Sequence, residues 1–237
     1  MSQRVHTRPG SYTSRRFFFL FLFLLTLLIL YPYAEGTRFG FYGIRVVGSA
    51  VILLSVYAVS FRRGLLIAAI ILAVPAFYLR GILPRLSPTT FSVLALVMTL
   101  AFDVFIVVII FRRVFAREEA NAETVFGALC IYLLVGFSFS SLYGMVSVFQ
   151  PNSLYLDPHV NLHLHPNRFD FVYYSFGTMT SLGATGITPV SDEARSLTIL
   201  EAILGVLYLA VLIARLMGAY RPGSRSQDHP QPPSPSR

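Results

Sequence analysis

The stretch "TMTSLGATGITP", residues 178–189, is a run of small and hydroxylated residues with two glycines, and it lies between long apolar segments. The chain as a whole contains 55% hydrophobic and only 13% charged residues, with a mean hydropathy of +0.65. A soluble domain carries about a quarter charged residues. Because so few charges cannot cover a water-facing surface, the sequence predicts an integral membrane protein.

Six apolar segments reach or approach the roughly 20 residues with which a helix crosses a bilayer. They are residues 17–33, 41–61, 64–79, 91–111, 125–149 and 196–217. The third segment is the shortest and contains Pro75, which a membrane helix tolerates when neighbouring groups satisfy the freed carbonyl. The fourth segment contains no Arg, so it lacks the charge carriers of a voltage sensor.

The basic residues, all 19 of which are Arg, indicate the orientation. Thirteen of them lie on the side of the N-terminus and six on the other side, if every segment crosses the membrane. The positive-inside rule then predicts a multi-pass protein of the cell membrane with both termini in the cytoplasm. The arginines form short clusters between apolar runs, which favours membrane lipid as a partner and excludes a nucleic-acid face.

Residues 171–181, "FVYYSFGTMTS", predict a short amphipathic helix with Asp170 as its N-cap. Such a helix is too short to cross a bilayer, and irregular backbone at membrane depth must be buried in protein or line a watery cavity. A re-entrant loop meets this condition, and the negative end of its helix then faces a cavity and favours a cation. The predicted fold class is an all-α integral membrane protein with six transmembrane helices and a re-entrant pore helix and filter loop between the fifth and sixth.

Residues 171–191 resemble the pore of the potassium channel superfamily, of the bacterial type with two helices and one pore loop. The family pattern S-F-x-T-x-T-T-V-G-Y-G-D-x-x-P aligns without gaps, and the resemblance extends over residues 122–217. The matching residues are Ser175, Phe176, Thr178, Thr180, Gly183 and Pro189. The resemblance implies a homotetramer, because rings of carbonyls from four loops replace the hydration shell of the ion.

The centre of the filter departs from the family pattern. The resemblance assigns the ion filter to Thr180, Ser181, Leu182, Gly183, Ala184, Thr185 and Gly186. Thr185 stands where the family has its second glycine, and left-handed backbone costs a β-branched residue about 1–2 kcal/mol. We therefore expect the upper carbonyl sites to be lost or widened, while the lower sites from Thr180 to Gly183 remain. The predicted permeant species is a monovalent cation of the potassium type, with weakened selectivity.

Several other residues have a functional and a structural interpretation. Gly205 is either a gating hinge of the inner helix, by resemblance, or a glycine for helix packing. Asp192 and Glu193 either concentrate cations at the outer mouth or form a solvated surface pair. Glu201 either braces the pore loop from behind or pairs with Arg195. The histidines of the loop before the pore helix have no carboxylate or Cys partners at a suitable spacing, so no metal site is expected.

The predicted organisation is a cytoplasmic segment (residues 1–16), a four-helix membrane domain (17–118), a pore domain (119–219) and a disordered cytoplasmic tail (220–237). The polar segments are too short for a catalytic domain and contain no catalytic motif, so neither an enzyme nor a cofactor is expected. The predicted function is a tetrameric potassium-type cation channel. Two alternatives are a non-conducting channel-like subunit and a small membrane transporter or sensor.

Overall fold

The computed structural model of the chain describes residues 16–34, 38–59, 63–82, 90–116, 122–161, 163–183 and 186–219. Most of the predicted cytoplasmic segment, the predicted tail and two predicted filter residues, Ala184 and Thr185, lie outside the described residues.

The described residues form seven α-helices and one small sheet. The helices are α1 (Arg16–Leu30), α2 (Arg38–Val59), α3 (Arg63–Ile82), α4 (Thr90–Phe115), α5 (Ala122–Phe149), α6 (Arg168–Met179) and α7 (Asp192–Ala219). A 3-10 turn, Tyr31–Ala34, follows α1. Two strands, β1 (Leu154–Leu156) and β2 (Ile187–Pro189), pair antiparallel, with Tyr155 opposite Thr188.

A helix lies at each of the six predicted apolar segments. Within the described residues, four stretches are long and apolar enough to cross a membrane: Arg16–Tyr33, Val93–Phe115, Ala122–Phe149 and Asp192–Gly218. The prediction of a helical membrane protein is confirmed at this level, while the crossing of the membrane by α2 and α3 stays a prediction. Pro75 lies inside α3 without ending it.

One hydrophobic cluster joins the first helices to the fifth. Phe17 and Leu20 of α1 pack with Ile106 and Ile110 of α4 and with Ile131 of α5. Most of α5 is buried by these neighbours, whereas most of α7 is exposed. The single chain therefore covers α5 but leaves long apolar surface on α7 without protein cover.

A second cluster lies around the small sheet. Leu154, Leu156 and Ile187 point inward from the strands and pack with Tyr143 of α5 and Tyr174 of α6. The two strands connect the segment after α5 with the segment that leads into α7. This sheet therefore joins the segment that precedes α6 to the segment that follows it. The helix α6 itself packs between α5 and α7.

Candidate functional site

The N-terminus of α6 is closed by a capping box. The Asn167 side chain accepts a hydrogen bond from the backbone N–H of Asp170 at 2.8 Å, and the Asp170 carboxylate accepts one from the backbone N–H of Asn167 at 2.7 Å. The prediction of Asp170 as the N-cap is corrected, because α6 begins at Arg168 and Asp170 is its third residue. The spacing N-x-x-D satisfies two N–H groups reciprocally, so the helix begins earlier than it would with Asp170 as its cap.

His163 also contacts the N-terminal end of α6. Its Nε2 lies 2.7 Å from Oδ2 of Asp170 and 3.2 Å from the side-chain amide of Asn167. The histidine therefore contacts a carboxylate. Among the described residues no group of three or more His, Cys, Asp or Glu side chains could hold a metal ion.

The middle of α6 approaches α5 closely because Gly136 has no side chain. A Cβ atom at Gly136 would lie 2.7 Å from the ring of Phe176. The Ser175 hydroxyl lies 2.7 Å from the carbonyl oxygen of Gly136 and 2.5 Å from Oε1 of Glu201 on α7. The other carboxyl oxygen of Glu201 accepts a hydrogen bond from Tyr143 of α5 at 2.7 Å. One buried polar cluster therefore connects the three helices.

The C-terminal end of α6 is enclosed on two sides, by α5 and by α7. The Tyr132 hydroxyl of α5 donates to the carbonyl of Met179 at 3.3 Å. On the other side, a Cβ atom at Gly205 of α7 would lie only 2.6 Å from the same carbonyl oxygen. The structure thus gives Gly205 a packing role against the end of α6. The hinge interpretation of Gly205 stays a prediction.

The loop after α6 turns sharply and is exposed. The backbone N–H groups of Ser181 and Leu182 donate to the carbonyls of Thr178 and Gly177, and Ser181 adopts a φ of 57°. Gly183 follows with a φ of 78°. Leu182 is 69% exposed. Residues 180–183 therefore lie uncovered on the single chain.

The Gly186 carbonyl accepts two hydrogen bonds from the segment that follows β1, which does not fit the role of a filter ligand. They come from the backbone N–H of Asp157 at 2.9 Å and from the side-chain amide of Asn161 at 2.8 Å. A carbonyl oxygen has two lone pairs, and both are used here. These hydrogen bonds argue against Gly186 as a filter ligand, and its assignment stays a prediction. With a φ of 85°, Gly186 supplies the left-handed backbone with which the chain enters β2.

The predicted outer-mouth residues lie in the first turn of α7. Asp192 and Glu193 are both exposed, and Asp192 is 3.8 Å from Arg195. Arg195 also donates to the carbonyl of Pro189, so the described residues show it paired away from Glu201. Of the two interpretations of Glu201, the contact with α6 is the one that the structure supports.

The arrangement combines a short helix with a loop rich in oxygen atoms. The 12 residues of α6 span about 18 Å, which is less than the roughly 30 Å of a hydrocarbon core. The carbonyl end of a helix carries partial negative charge. The hydroxyls of Thr180 and Ser181 and the carbonyls of Leu182 and Gly183 follow directly. This chemistry suits a cation.

Sequence reasoning missed three contributors to this site, namely Asn161, Asn167 and Gly136. Asn167 could have been found from the N-x-x-D spacing before an apolar run. The roles of Asn161 and Gly136 depend on contacts across 25 and about 40 residues, for which the local sequence carries no signal.

The comparison with protein families agrees with this geometry. Residues 128–221 match the family model described as an ion channel. The match covers less than half of the chain and includes α5, α6 and α7. Searches of curated proteins and of solved structures found no match. The resemblance to a channel family is confirmed over these residues, which are similar to the ion channel family model.

Proposed function

We propose that four copies of this chain surround one axis and form a cation channel of the potassium type with weakened selectivity. The observation that carries the proposal is the end of α6. The helix stops at Met179 between α5 and α7, and the exposed residues Thr180 to Gly183 follow it. In the proposed assembly each of these residues contributes one oxygen to a ring of four.

The lower filter is supported by the hydrogen bonds of Thr180. Its hydroxyl donates to the Phe176 carbonyl at 2.6 Å, so the hydroxyl hydrogen points back to the helix and the lone pairs stay available. The carbonyls of Leu182 and Gly183 supply further layers. A cation that exchanges its water shell for such oxygens binds through their number and dipole strength.

The weakened selectivity follows from the upper half of the loop. The carbonyl of Gly186 is occupied by Asp157 and Asn161, so the ladder of free oxygens ends before this residue. Thr185 stands at a glycine position of the family pattern, and the left-handed backbone that the family uses there is unfavourable for a β-branched residue. Fewer layers of oxygen discriminate less between potassium and sodium.

The exposed surface of α7 supports assembly into a tetramer. Its large exposed apolar residues include Ile199, Ile203, Leu207 and Ile213, which repeat at helical spacing along one side. Leu182 is equally uncovered at the level of the loop. A second copy that packs along α7 covers both, and closed symmetry extends this contact to a ring.

The membrane topology of the proposal follows the arginine distribution. All six long helices cross the cell membrane, both termini lie in the cytoplasm, and lipid covers the outer helices. The loop between α5 and α7 then lies on the outside, where Asp192 and Glu193 raise the local concentration of cations at the mouth. The first four helices surround the pore domain.

The test is cation flux into proteoliposomes that contain the purified chain. We expect rubidium uptake from a detergent-stable tetramer, with little preference for potassium over sodium. The double variant Ala184→Tyr with Thr185→Gly should restore a potassium preference, because it returns the glycine to the filter and leaves Gly186 in place. The single variant Ala184→Tyr is the matched control and should stay unselective.

Each alternative function has its own outcome in this experiment. Tetramers without flux indicate a non-conducting channel-like subunit. Monomers or dimers favour a transporter or sensor that uses the loop to bind a solute. Strong potassium selectivity in the unmodified chain contradicts the proposed weakening of the filter.

A further inference from the structure

Glu201 is the most completely buried acidic residue in the described part of the chain, with 0% exposure. It lies on the side of α7 that faces α5 and α6. Its two carboxyl oxygens contact the hydroxyls of Ser175 and Tyr143. We call these three side chains, together with the Gly136 carbonyl, the Glu201 cluster. An acidic residue at such a depth in a membrane protein needs partners, because an isolated charge is costly there.

The hydrogen atoms of this cluster can be counted. The Ser175 oxygen lies 2.7 Å from the Gly136 carbonyl and 2.5 Å from Oε1 of Glu201. A serine hydroxyl has one hydrogen, and a carbonyl oxygen has none. If Ser175 donates to the carbonyl, the short contact with Glu201 needs a second hydrogen, and only Glu201 can supply it. If Ser175 donates to Glu201 instead, two oxygens face each other at 2.7 Å with no hydrogen between them.

The neighbouring hydroxyls provide no other hydrogen for this contact. Thr198 donates to the Ala194 carbonyl at 2.7 Å and accepts from Tyr174 at 2.7 Å. Tyr143 donates to Oε2 of Glu201 at 2.7 Å. Each hydroxyl hydrogen is therefore used once in this arrangement. When the carboxyl group carries a hydrogen, each of these contacts has a hydrogen of its own, whereas an ionised Glu201 leaves one Ser175 hydrogen shared between two acceptors.

Among the residues that the structure describes, no basic group faces Glu201 to favour a carboxylate. The titratable groups that face Glu201 are Tyr132 and Tyr143 of α5 and Tyr174 of α6, and none of them is basic. Among the described residues, Arg195 of the same helix is engaged by Asp192 and by the Pro189 carbonyl. A buried carboxylate without a basic partner carries a large desolvation penalty.

We propose that Glu201 is a positioning residue that holds the pore helix α6 as a neutral acid, with its proton donated to Ser175. Through Ser175 the acid fixes α6 against both α5 and α7, one helical turn before the filter loop begins at Thr180. The effect on conduction rests on the proposed function, whereas the position of the proton does not.

Infrared spectroscopy tests the position of the proton without any measurement of flux. A carboxylic acid has a C=O stretching band that a carboxylate lacks. The difference spectrum between the unmodified tetramer and Glu201→Gln should contain this band at neutral pH. Glu193→Gln, the same substitution at an exposed site on the same helix, should leave the band in place. A difference spectrum without the band shows Glu201 to be ionised and overturns the proposal.

The second test is rescue by the conservative variant. The amide that Glu201→Gln introduces is not ionisable, yet it can donate to Ser175 and accept from Tyr143, as a neutral acid does. We expect Glu201→Gln to keep its cation flux within about twofold of the unmodified chain, and Glu201→Ala to lose about tenfold, the factor of one net hydrogen bond. Equal losses in the two variants, with tetramers intact, show that the charge is required and refute the proposal.

The two tests separate this inference from the proposed function. If the unmodified chain shows no flux, the channel proposal fails, and the infrared band still decides the protonation of Glu201. If flux is present but the band is missing, the channel proposal stands and the neutral acid is refuted.

Discussion

Substitution of Gly205 by Ala should disturb the end of the pore helix. The added Cβ meets the Met179 carbonyl oxygen at 2.6 Å and the Met179 Cγ at 2.9 Å. The flexible side chain of Met179 can move aside, but its carbonyl belongs to the backbone and accepts the Tyr132 hydroxyl. The strain therefore falls on the backbone of α6 and on the loop that follows. Overpacking of this kind costs about 1–3 kcal/mol.

Gly218→Ala is the matched control for this substitution. Gly218 lies on the same helix, and a Cβ there has nothing within 4 Å. Both variants gain helix propensity of up to about 1 kcal/mol, so the propensity term largely cancels between them. Their difference isolates the packing cost, which corresponds to about 2–12 °C in the unfolding midpoint of a chain of this size.

Thermal unfolding of the detergent-solubilised protein measures this difference. We expect Gly205→Ala to unfold at a lower temperature than Gly218→Ala and to lose cation flux. If Gly205 serves only as a hinge, Ala stiffens the helix without a clash, and gating changes while the two midpoints coincide. Coincident midpoints would refute the packing argument.

Substitutions at three further positions test the ends of the loop and of α6. Asn167→Ala should destabilise α6 by about 0.5–2 kcal/mol through the loss of its N-cap, and Asn167→Ser should retain most of the stability, both measured by thermal unfolding. Asn161→Asp should destabilise more than Asn161→Ala, because a carboxylate then faces the Gly186 carbonyl without a hydrogen to donate; hydrogen exchange of the amides around β2 reports the loosening. Gly183→Ala should cost about 1–2 kcal/mol and lower the flux although the site has room, because its φ is 78°; an unchanged flux contradicts the left-handed turn.

The helices can be predicted from the sequence because the bilayer imposes a simple rule on them. A long apolar run must form a helix to satisfy its backbone groups in lipid. The structure accordingly has a helix at each of the six predicted segments, with bounds a few residues wider at most ends. The sequence pattern misplaces the start of α6 at Asp170, because a carboxylate before an apolar run resembles an N-cap and the cap is in fact the preceding Asn167.

The contacts that the loop and α6 make with other parts of the chain cannot be predicted in the same way. The glycine at position 205 signals small size, but the contact with Met179 follows from how closely two helices pack. The anchoring of Gly186 depends on Asn161, which lies 25 residues earlier in a polar segment without periodicity. The sequence indicates Glu201 as a candidate brace, yet its pairing with Ser175 and Tyr143 needs the relative rotation of three helices. Such contacts are set by packing and carry no local pattern.

In the proposed channel, the position of Gly186 accounts for a short filter. Its carbonyl is held by the segment after β1, and only two residues separate it from Gly183. Three steps of extended chain cover at most about 11 Å, so residues 183–186 must run from the end of the lower filter to the outer wall over that distance. In the proposed channel, a segment that must cover this distance in three steps cannot also turn every carbonyl toward the axis of the pore. Under the proposed function, the replacement of the family's Tyr-Gly-Asp by Ala-Thr-Gly and the anchoring of Gly186 by Asn161 belong to one change, in which the outer end of the filter becomes part of the wall of the pore.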